Sequence, residues 1–231
     1  GFTSYIDDVA MNVILNEGKA LPNANAYKDY FRWVATGLEE PMTTHADRFK
    51  FNTGYGMSAY DKGSVFLSQL QYIIGEENFD NTLKKYFNDW SFKHPKPNDF
   101  IRSAEKVSDL ELDWYLLDWA QSTMTIDYSI NSVYGVDNKT KVILKRIGQM
   151  GMPIDIRVLL DSADYLDFNI PMTKMRGSKP LENSTLLESW SWAKPYYEFW
   201  IDVDSNKISK ILIDPKNEMA DIDRNNNSLD L

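Results

Sequence analysis

The first half of the chain has the hydrophobic period of α-helices. Apolar residues recur there at intervals of three and four positions, which places them on one face of an amphipathic helix. Gly75 is a suitable residue to end one of these helices. The pattern predicts a polar loop over residues 37–56 and helices over residues 2–15, 25–35, 58–74, 78–90, 98–107 and 108–119.

The period changes to two at about Thr125. From Ile126 onward, apolar and polar residues alternate, as in a strand with one buried face. We therefore predict an α+β fold, in which a mainly helical subdomain is followed by an antiparallel β-sandwich of about seven strands. The strand pattern recurs at residues 141–147, 153–160, 165–170, 196–203 and 207–213. The predicted boundaries are residues 1–124 for the helical subdomain, 125–220 for the β-sandwich and 221–231 for a polar tail.

Composition and charge exclude several classes of protein. The formal net charge of -9 argues against nucleic-acid binding, which needs a basic face. The absence of cysteine excludes disulfides, cysteine-ligated zinc, iron–sulfur clusters and thiol nucleophiles. No apolar run approaches the roughly 20 residues that a transmembrane helix needs. The compartment stays open, because a cysteine-free protein is stable in either redox environment.

Residues that could bind a catalytic metal are scarce. The chain has only two histidines, His45 and His94. They are too far apart for a helical H-x-x-x-H pair, and a catalytic zinc would need both of them and a carboxylate. The sequence also lacks a Gly-rich phosphate-binding loop and a G-x-S-x-G nucleophile elbow. The residues therefore predict no complete active site and no catalytic zinc within this chain.

Two acidic stretches copy the opening of an EF-hand calcium loop, at residues 202–206 and 221–225. Both lack the glycine that such a loop needs at its sixth position, where Lys207 and Asn226 stand. We interpret the first stretch as a hairpin turn, in which Asp and Asn are the usual residues. Calcium binding by the second stretch, in the predicted tail, stays open.

An ordered series of motifs resembles one peptidase family. The segment Tyr60-Asp61-Lys62-Gly63, followed by an apolar helix that ends at Gly75, resembles the Tyr-x-Lys-Gly segment of the M1 zinc aminopeptidases, which are gluzincins. Residues 1–5, Gly-Phe-Thr-Ser-Tyr, resemble those directly after the third zinc ligand of that family, a Glu. Further segments that resemble the family are Thr44-His45-Ala46-Asp47, residues 83–95, Asp99-Phe100 and Leu112-Asp113-Trp114.

This resemblance covers most of residues 1–125 and implies that the chain is the C-terminal part of an M1 zinc aminopeptidase. The helical half would then be the end of a thermolysin-like catalytic domain, and the β half matches more loosely. The H-E-x-x-H helix, the Glu ligand and the Gly-x-Met-Glu-Asn segment would lie upstream of Gly1. Zinc is therefore expected in the full-length parent and not in this fragment, which is expected to be inactive alone.

The resemblance also implies roles for individual residues. In the family, the Tyr of Tyr-x-Lys-Gly donates its hydroxyl to the oxyanion, which assigns this role to Tyr60. Tyr55 is expected to line the same pocket, and His45 to shape the loop beside it. Lys62 is expected to make a structural ion pair or a helix contact. The parent would bind a peptide substrate, and the truncated helical half is expected to dimerise through exposed apolar surface.

Two other interpretations stay open. The parent could be a degenerate M1 relative that acts as a scaffold or binds peptides without catalysis. Alternatively, the chain is an independent carbohydrate- or protein-binding module, with Trp190, Trp192 and Trp200 as candidates for exposed aromatic contacts. An intact H-E-x-x-H motif upstream would favour the enzyme.

Overall fold

The computed structural model describes residues 1–231, and its internal contacts divide the chain into two units. Unit 1 comprises Gly1–Val107 and Leu112–Met124, and unit 2 comprises Ser108–Glu111 and Thr125–Leu231. Unit 1 is helical, whereas unit 2 consists of β-strands with short 3-10 turns. The predicted α+β class is therefore confirmed. None of the helices is both long enough and apolar enough to cross a bilayer.

Seven α-helices and one π-helix form unit 1. They are α1 (Phe2–Ile14), α2 (Ala24–Ala35), α3 (Asn52–Gly56), the π-helix (Met57–Lys62), α4 (Gly63–Ile74), α5 (Glu76–Trp90), α6 (Pro97–Ser108) and α7 (Asp113–Ala120). Each predicted helix is present, and most ends shift by a few residues. The helix predicted from residue 108 begins only at Asp113, and the one predicted over residues 58–74 consists of the π-helix and α4. Such shifts are usual, because helix ends depend on capping and on the packing of neighbours more than on the hydrophobic period.

The helix α4 is the centre of unit 1. All its residues except Gln71 are buried, because apolar or small residues occupy most positions on every side. The buried amide of Gln69 donates a hydrogen bond to the hydroxyl of Tyr27 over 2.7 Å. The hydroxyl of Tyr5, from α1, donates to Gln71 Oε1 over 2.7 Å. From the other direction, the hydroxyl of Tyr115, in α7, donates to the carbonyl of Phe66 over 2.5 Å. The π-helix therefore leads directly into a helix that is held by its neighbours on all sides.

The loop after α2 is shorter than expected. The sequence analysis places it over residues 37–56, but α3 begins at Asn52 and the π-helix follows without a break. Gly54 and Gly56 conceal this helix from a pattern-based prediction, because glycine has a low helix propensity. Gly54 is closely packed, since a Cβ at this position would lie 3.2 Å from the ring of Trp33.

Two sheets form unit 2. A three-stranded sheet has the order β1-β2-β6, and a five-stranded sheet has the order β5-β4-β3-β7-β8. Phe168 of β4 and Phe199 of β6 contact each other with ring centroids 5.6 Å apart, so the buried faces of the two sheets share one core. The strands are β1 (Tyr128–Val136), β2 (Lys139–Arg146), β3 (Ile154–Leu160), β4 (Tyr165–Ile170), β5 (Ser184–Leu186), β6 (Tyr196–Ile201), β7 (Ile208–Ile213) and β8 (Ser228–Asp230).

One strand pair departs from the expected antiparallel arrangement. The strands β4 and β5 pair in parallel, with Asp167 opposite Ser184 and Asn169 opposite Leu186. The sequence pattern does not predict β5, because a three-residue strand is too short to show an alternating period. The other pairs in both sheets are antiparallel, as the strand pattern predicts.

The last residues of the chain belong to the five-stranded sheet. The sequence analysis describes residues 221–231 as a polar tail, whereas β8 pairs with β7 and Asp221 is buried. Asp221 accepts a hydrogen bond from the backbone N–H of Tyr128 over 2.9 Å. Because polar residues can also satisfy backbone groups in a fold, a polar composition alone did not show that this segment is ordered.

Both acidic stretches act as turns. Asp204 accepts a hydrogen bond from the backbone N–H of Asn206 over 3.0 Å, and Asp223 accepts one from that of Asn225 over 3.3 Å. These are the short side-chain-to-backbone bonds that Asp makes in turns. The first stretch is therefore a turn, as predicted, but its interpretation as a hairpin is wrong, because the flanking strands β6 and β7 belong to different sheets. The second stretch serves the same purpose before β8.

Only two of the three tryptophans considered for ligand binding are exposed. Trp190 was expected to be exposed, and this prediction is wrong, because the side chain is in the core with 4% of the residue exposed. Trp192 and Trp200 are exposed. The ammonium of Lys174 lies 4.9 Å from the ring centroid of Trp192, and that of Lys141 lies 5.7 Å from the ring centroid of Trp200. Cation–π contacts within the chain therefore already engage both exposed rings.

Candidate functional site

The candidate site is built around the π-helix, which contains Tyr60. A π-helix has a wider turn than an α-helix, is rare, and is frequently found at functional sites. Tyr60 is 57% exposed, so its ring projects from unit 1 toward solvent. The opposite side of the same helix faces inward, where Ser58 and Lys62 are buried. The structure therefore presents Tyr60 on a helix whose other side is fixed in the core of unit 1.

The first residue of the chain packs against this helix. The amino group of Gly1 donates a hydrogen bond to the carbonyl of Ala59, the residue before Tyr60. Burial lowers the pKa of this amino group, and the charge of Asp61 partly offsets the effect. A Cβ on Gly63 would lie 2.7 Å from Gly1 Cα, a distance that no real side chain occupies. Gly63 has an ordinary helical φ of -66°, so the glycine is required for close approach and not for backbone freedom.

Tyr55 lies on the same helical segment as Tyr60, five positions earlier. It is 40% exposed, and its ring contacts that of Phe49 edge-on with centroids 5.8 Å apart. Tyr55 therefore has an exposed edge and a packed edge, as a residue at the wall of a cleft would have. The structure places both tyrosines on the continuous segment of α3 and the π-helix.

His45 belongs to a different element. It precedes a short 3-10 helix, Ala46–Arg48, and its Nδ1 accepts a hydrogen bond from the backbone N–H of Asp47 over 3.3 Å. The side chain is 70% exposed and lies 3.7 Å from the carboxylate of Asp47. These contacts fit a residue that shapes its own loop. They do not test the expected position of His45 beside the Tyr60 pocket, which stays a prediction.

The side chains of this chain do not fit a zinc ion by themselves. No group of three or more His, Asp or Glu side chains converges in a way that could hold a metal. A catalytic zinc site needs three protein ligands and an open position. Any zinc bound at this site would therefore need ligands from outside these residues.

Sequence reasoning missed one part of the site. The expectation of an ion pair for Lys62 is confirmed, and its partner is Glu39, whose carboxylate lies 2.6 Å from the Lys62 ammonium. Glu39 stands beside Glu40 in a polar stretch of the loop after α2. Nothing in the local sequence distinguishes a buried carboxylate from a solvated one there, so only the packing of the loop reveals it.

A separate cavity lies in unit 2. It has a volume of about 520 Å³ and acidic walls that include Asp161, Asp202 and Asp204. Asp202 pairs with Lys139 at 2.6 Å, and Asp204 caps its own turn. Asp202 and Asp204 are thus engaged within the fold, and the lining shows no arrangement of nucleophile and base. We therefore assign the candidate site to the π-helix.

Comparison with known proteins identifies relatives of the helical half. Residues 1–119 match the peptidase family M1 domain. Aminopeptidase N of Haemophilus influenzae is 23% identical over 123 residues, which are 53% of this chain and 13% of that protein. Aminopeptidase N of Escherichia coli is 26% identical over 73 residues, which are 32% of this chain and 8% of that protein.

A solved structure is also similar. The crystal structure of Legionella pneumophila aminopeptidase A in complex with aspartic acid aligns with a TM-score of 0.49 and 16% identity. This alignment covers 73% of this chain and 18% of that one. The chain thus spans only a small part of the length of each of these relatives.

Proposed function

Because this chain belongs to peptidase family M1, we propose that it is the C-terminal part of a zinc aminopeptidase that hydrolyses N-terminal residues from peptides. In this family, zinc supplies Lewis-acid activation of the scissile carbonyl. The chain spans 13% of one related aminopeptidase N and 8% of another, so most of the catalytic machinery would be contributed by residues outside it.

The contact between Gly1 and the π-helix is the observation that supports this proposal. The hydrogen bond from Gly1 to Ala59 holds Gly1 against the backbone beside Tyr60. The Cα of any residue that precedes Gly1 would lie about 3.8 Å from Gly1 Cα, and therefore near the same helix. By the resemblance stated above, that preceding residue would be the Glu that serves as third zinc ligand. A metal ligand and a phenol would then stand side by side, and the phenol would be a fixed donor for the oxyanion.

Tyr60 would act as a hydrogen-bond donor. When the scissile carbonyl is attacked, its oxygen gains negative charge, and a fixed O–H directed at that oxygen stabilises the transition state. A phenol keeps its proton near neutral pH and is therefore a suitable donor. The exposed ring of Tyr60 on a helix with a buried opposite side supports this role. Tyr55 and His45 would shape the neighbouring pocket without taking part in the chemistry.

The activity of the full-length protein tests this proposal. We expect hydrolysis of an amino-acid arylamide that has a free amino group, and no hydrolysis of the same compound after acetylation of that group. A chelator should abolish the activity, and zinc should restore it. Residues 1–231 alone should bind far less than one zinc per chain and should not hydrolyse the substrate. A folded full-length protein without hydrolytic activity would support the alternative of a non-catalytic scaffold instead.

The close approach of two glycines gives a more local prediction. Gly63→Ala would place a Cβ 2.7 Å from Gly1 Cα, so the backbone of Gly1 or of the π-helix must move. A displacement of about 1 Å in an active site can cost about 10²-fold in rate. We expect kcat of the full-length protein to fall by about 10- to 100-fold.

Gly56→Ala is the matched control for Gly63→Ala. The same methyl group there meets no atom within 4 Å, so kcat should stay near that of the wild type. Similar losses in the two variants would show that the contact between Gly1 and Gly63 is not important.

We also propose that the isolated chain associates through the apolar side of α1. Val13 and Ile14 are 73% and 72% exposed, and Ile6 and Leu15 are exposed as well. Exposed apolar residues in this number mark a surface that is normally covered. Sedimentation of residues 1–231 should show a dimer, and Val13→Asp with Ile14→Asp should shift the chain toward monomer. A wild-type chain that stays monomeric at high concentration would contradict this.

A further inference from the structure

Lys62, the last residue of the π-helix, is a buried cation with several partners. Its Nζ lies 2.6 Å from Glu39 Oε1, and the two side chains are only 3% and 6% exposed. The same Nζ donates a hydrogen bond to the carbonyl of Ser122 over 3.3 Å and lies 5.7 Å from the ring centroid of Trp119. One ammonium group therefore joins the π-helix to the loop after α2 and to the end of α7.

A buried ion pair of this kind is weak evidence for stability. Desolvation of two charges costs free energy that their attraction often only balances, and well-packed apolar residues are often as good or better at such positions. Burial lowers the pKa of Lys62, and the opposing effect of Glu39 is the smaller of the two. What a buried pair does provide is a definite geometry, because each charge must stay with its partner.

The π-helix needs such a constraint. Its wide turn is a less favourable backbone arrangement than the α-helix on either side of it. Tyr60 is 57% exposed, whereas Lys62, two positions later, is 2% exposed. The two side chains therefore leave the helix on opposite sides. Because the side chain of Lys62 is fixed in the core, it sets the rotation of this turn about the helix axis. That rotation determines the direction in which the side chain of Tyr60 points.

The loop that contains Glu39 is itself held in place. The carboxylate of Glu40 accepts a hydrogen bond from the backbone N–H of Lys50 over 3.0 Å. The backbone N–H of Thr43 donates to the carbonyl of Ala120 over 3.2 Å. Glu39 is therefore a fixed anchor for Lys62 and not part of a loose loop.

We propose that Glu39 and Lys62 are positioning residues that hold the π-helix so that the hydroxyl of Tyr60 points at the reacting carbonyl. This inference rests on the proposed function, because it assumes that Tyr60 is the oxyanion donor. Neither residue touches the substrate. Their effect on the reaction passes through the orientation of Tyr60 alone.

The experiment compares the full-length protein with a variant in which both charges are replaced by apolar residues of similar size, Glu39→Leu with Lys62→Met. Removal of both partners avoids leaving an unpaired buried charge that would unfold the protein. We expect kcat to fall by about 10- to 100-fold, as for a misplaced catalytic group. KM should change by less than about twofold, because the loss is confined to the transition state.

The decisive comparison repeats the same double substitution in a Tyr60→Phe background. If the ion pair acts by positioning the Tyr60 hydroxyl, its removal should cost little more once that hydroxyl is absent. If the pair has a merely structural role, the fall in kcat caused by the double substitution and the fall caused by Tyr60→Phe should multiply. That result would overturn the inference. It is also overturned if the double variant keeps its full kcat.

A second ion pair provides the matched control. Arg157 and Asp167, on neighbouring strands of unit 2, form two hydrogen bonds of 2.8 Å. Arg157→Met with Asp167→Leu removes an ion pair that belongs to unit 2 and not to the π-helix, with side chains 29% and 18% exposed. This variant should keep the kcat of the wild type, and a loss equal to that of the Glu39 and Lys62 variant would overturn the inference.

Amide hydrogen exchange separates this inference from the proposed function. In the double variant, the amides of residues 57–62 should exchange faster, while those of α4 keep their protection. Unchanged exchange in residues 57–62 would overturn the inference whatever the activity. If Tyr60→Phe leaves kcat normal, the role of Tyr60 in the proposed function is refuted. Faster exchange of residues 57–62 in the double variant would then show that the ion pair holds the π-helix without any effect on catalysis, which overturns the positioning role.

Discussion

Replacement of Tyr60 by Phe should lower kcat of the full-length protein by about 10²–10³-fold, which corresponds to about 2.7–4 kcal/mol of transition-state stabilisation. The substitution removes one hydroxyl from an exposed ring, so the packing of the π-helix stays unchanged. KM should change little, because negative charge on the carbonyl oxygen develops only in the transition state. Steady-state kinetics with an amino-acid arylamide would measure both constants.

Tyr55→Phe is the matched control for this prediction. It removes the same atom from a tyrosine of the same helical segment that is 40% exposed. Because Tyr55 has no oxyanion role in the proposed function, its loss should cost much less than that of Tyr60. A Tyr60→Phe variant that folds normally and keeps near-normal kcat would leave the family assignment intact and refute the proposed mechanism.

The second large effect is a loss of stability with rising pH that originates at Asp214. This residue follows β7, is 3% exposed and has a left-handed φ of 50°. Burial raises the pKa of Asp214 to about 7, although hydrogen bonds from the backbone N–H groups of Met219 and Glu218 act to lower it. The carboxyl group therefore keeps its proton in the folded state at a pH where the unfolded chain has lost it.

The direction of the effect follows from proton binding. Between about pH 4 and pH 7, the folded protein binds more protons at Asp214 than the unfolded chain does, so the free energy of unfolding falls as the pH rises. A shift from 3.8 to about 7 corresponds to on the order of 4 kcal/mol. Asp221 adds to this trend, because burial raises its pKa to about 6. Urea unfolding at a series of pH values would measure the slope.

The slope can be assigned to Asp214 by substitution. Asp214→Asn should flatten the decline between pH 4 and pH 7, because the amide does not titrate. Asp202→Asn serves as the control, since this carboxylate is 83% exposed and its removal should leave the slope unchanged. A wild-type stability that stays level or rises over this range would contradict the prediction.

The sequence alone predicted features that repeat along the chain or that belong to a contiguous motif. The helical period of unit 1 and the alternation from Thr125 onward are visible because each element has one buried face, and burial selects apolar residues at the matching spacing. The segment from Tyr60 to Gly63 located the candidate site because its four residues are adjacent. The match of residues 1–119 to a peptidase family confirms what these motifs indicate.

Only the tertiary structure decided the features that join distant segments. The contact of Gly1 with Gly63 and the pairing of Glu39 with Lys62 link positions that are far apart in sequence. The order of β8 within its sheet and the burial of Trp190 likewise depend on neighbours from elsewhere in the chain. A local pattern records which residues avoid water, because that preference belongs to each side chain. It does not record which partner each residue meets, because that depends on how the elements pack together.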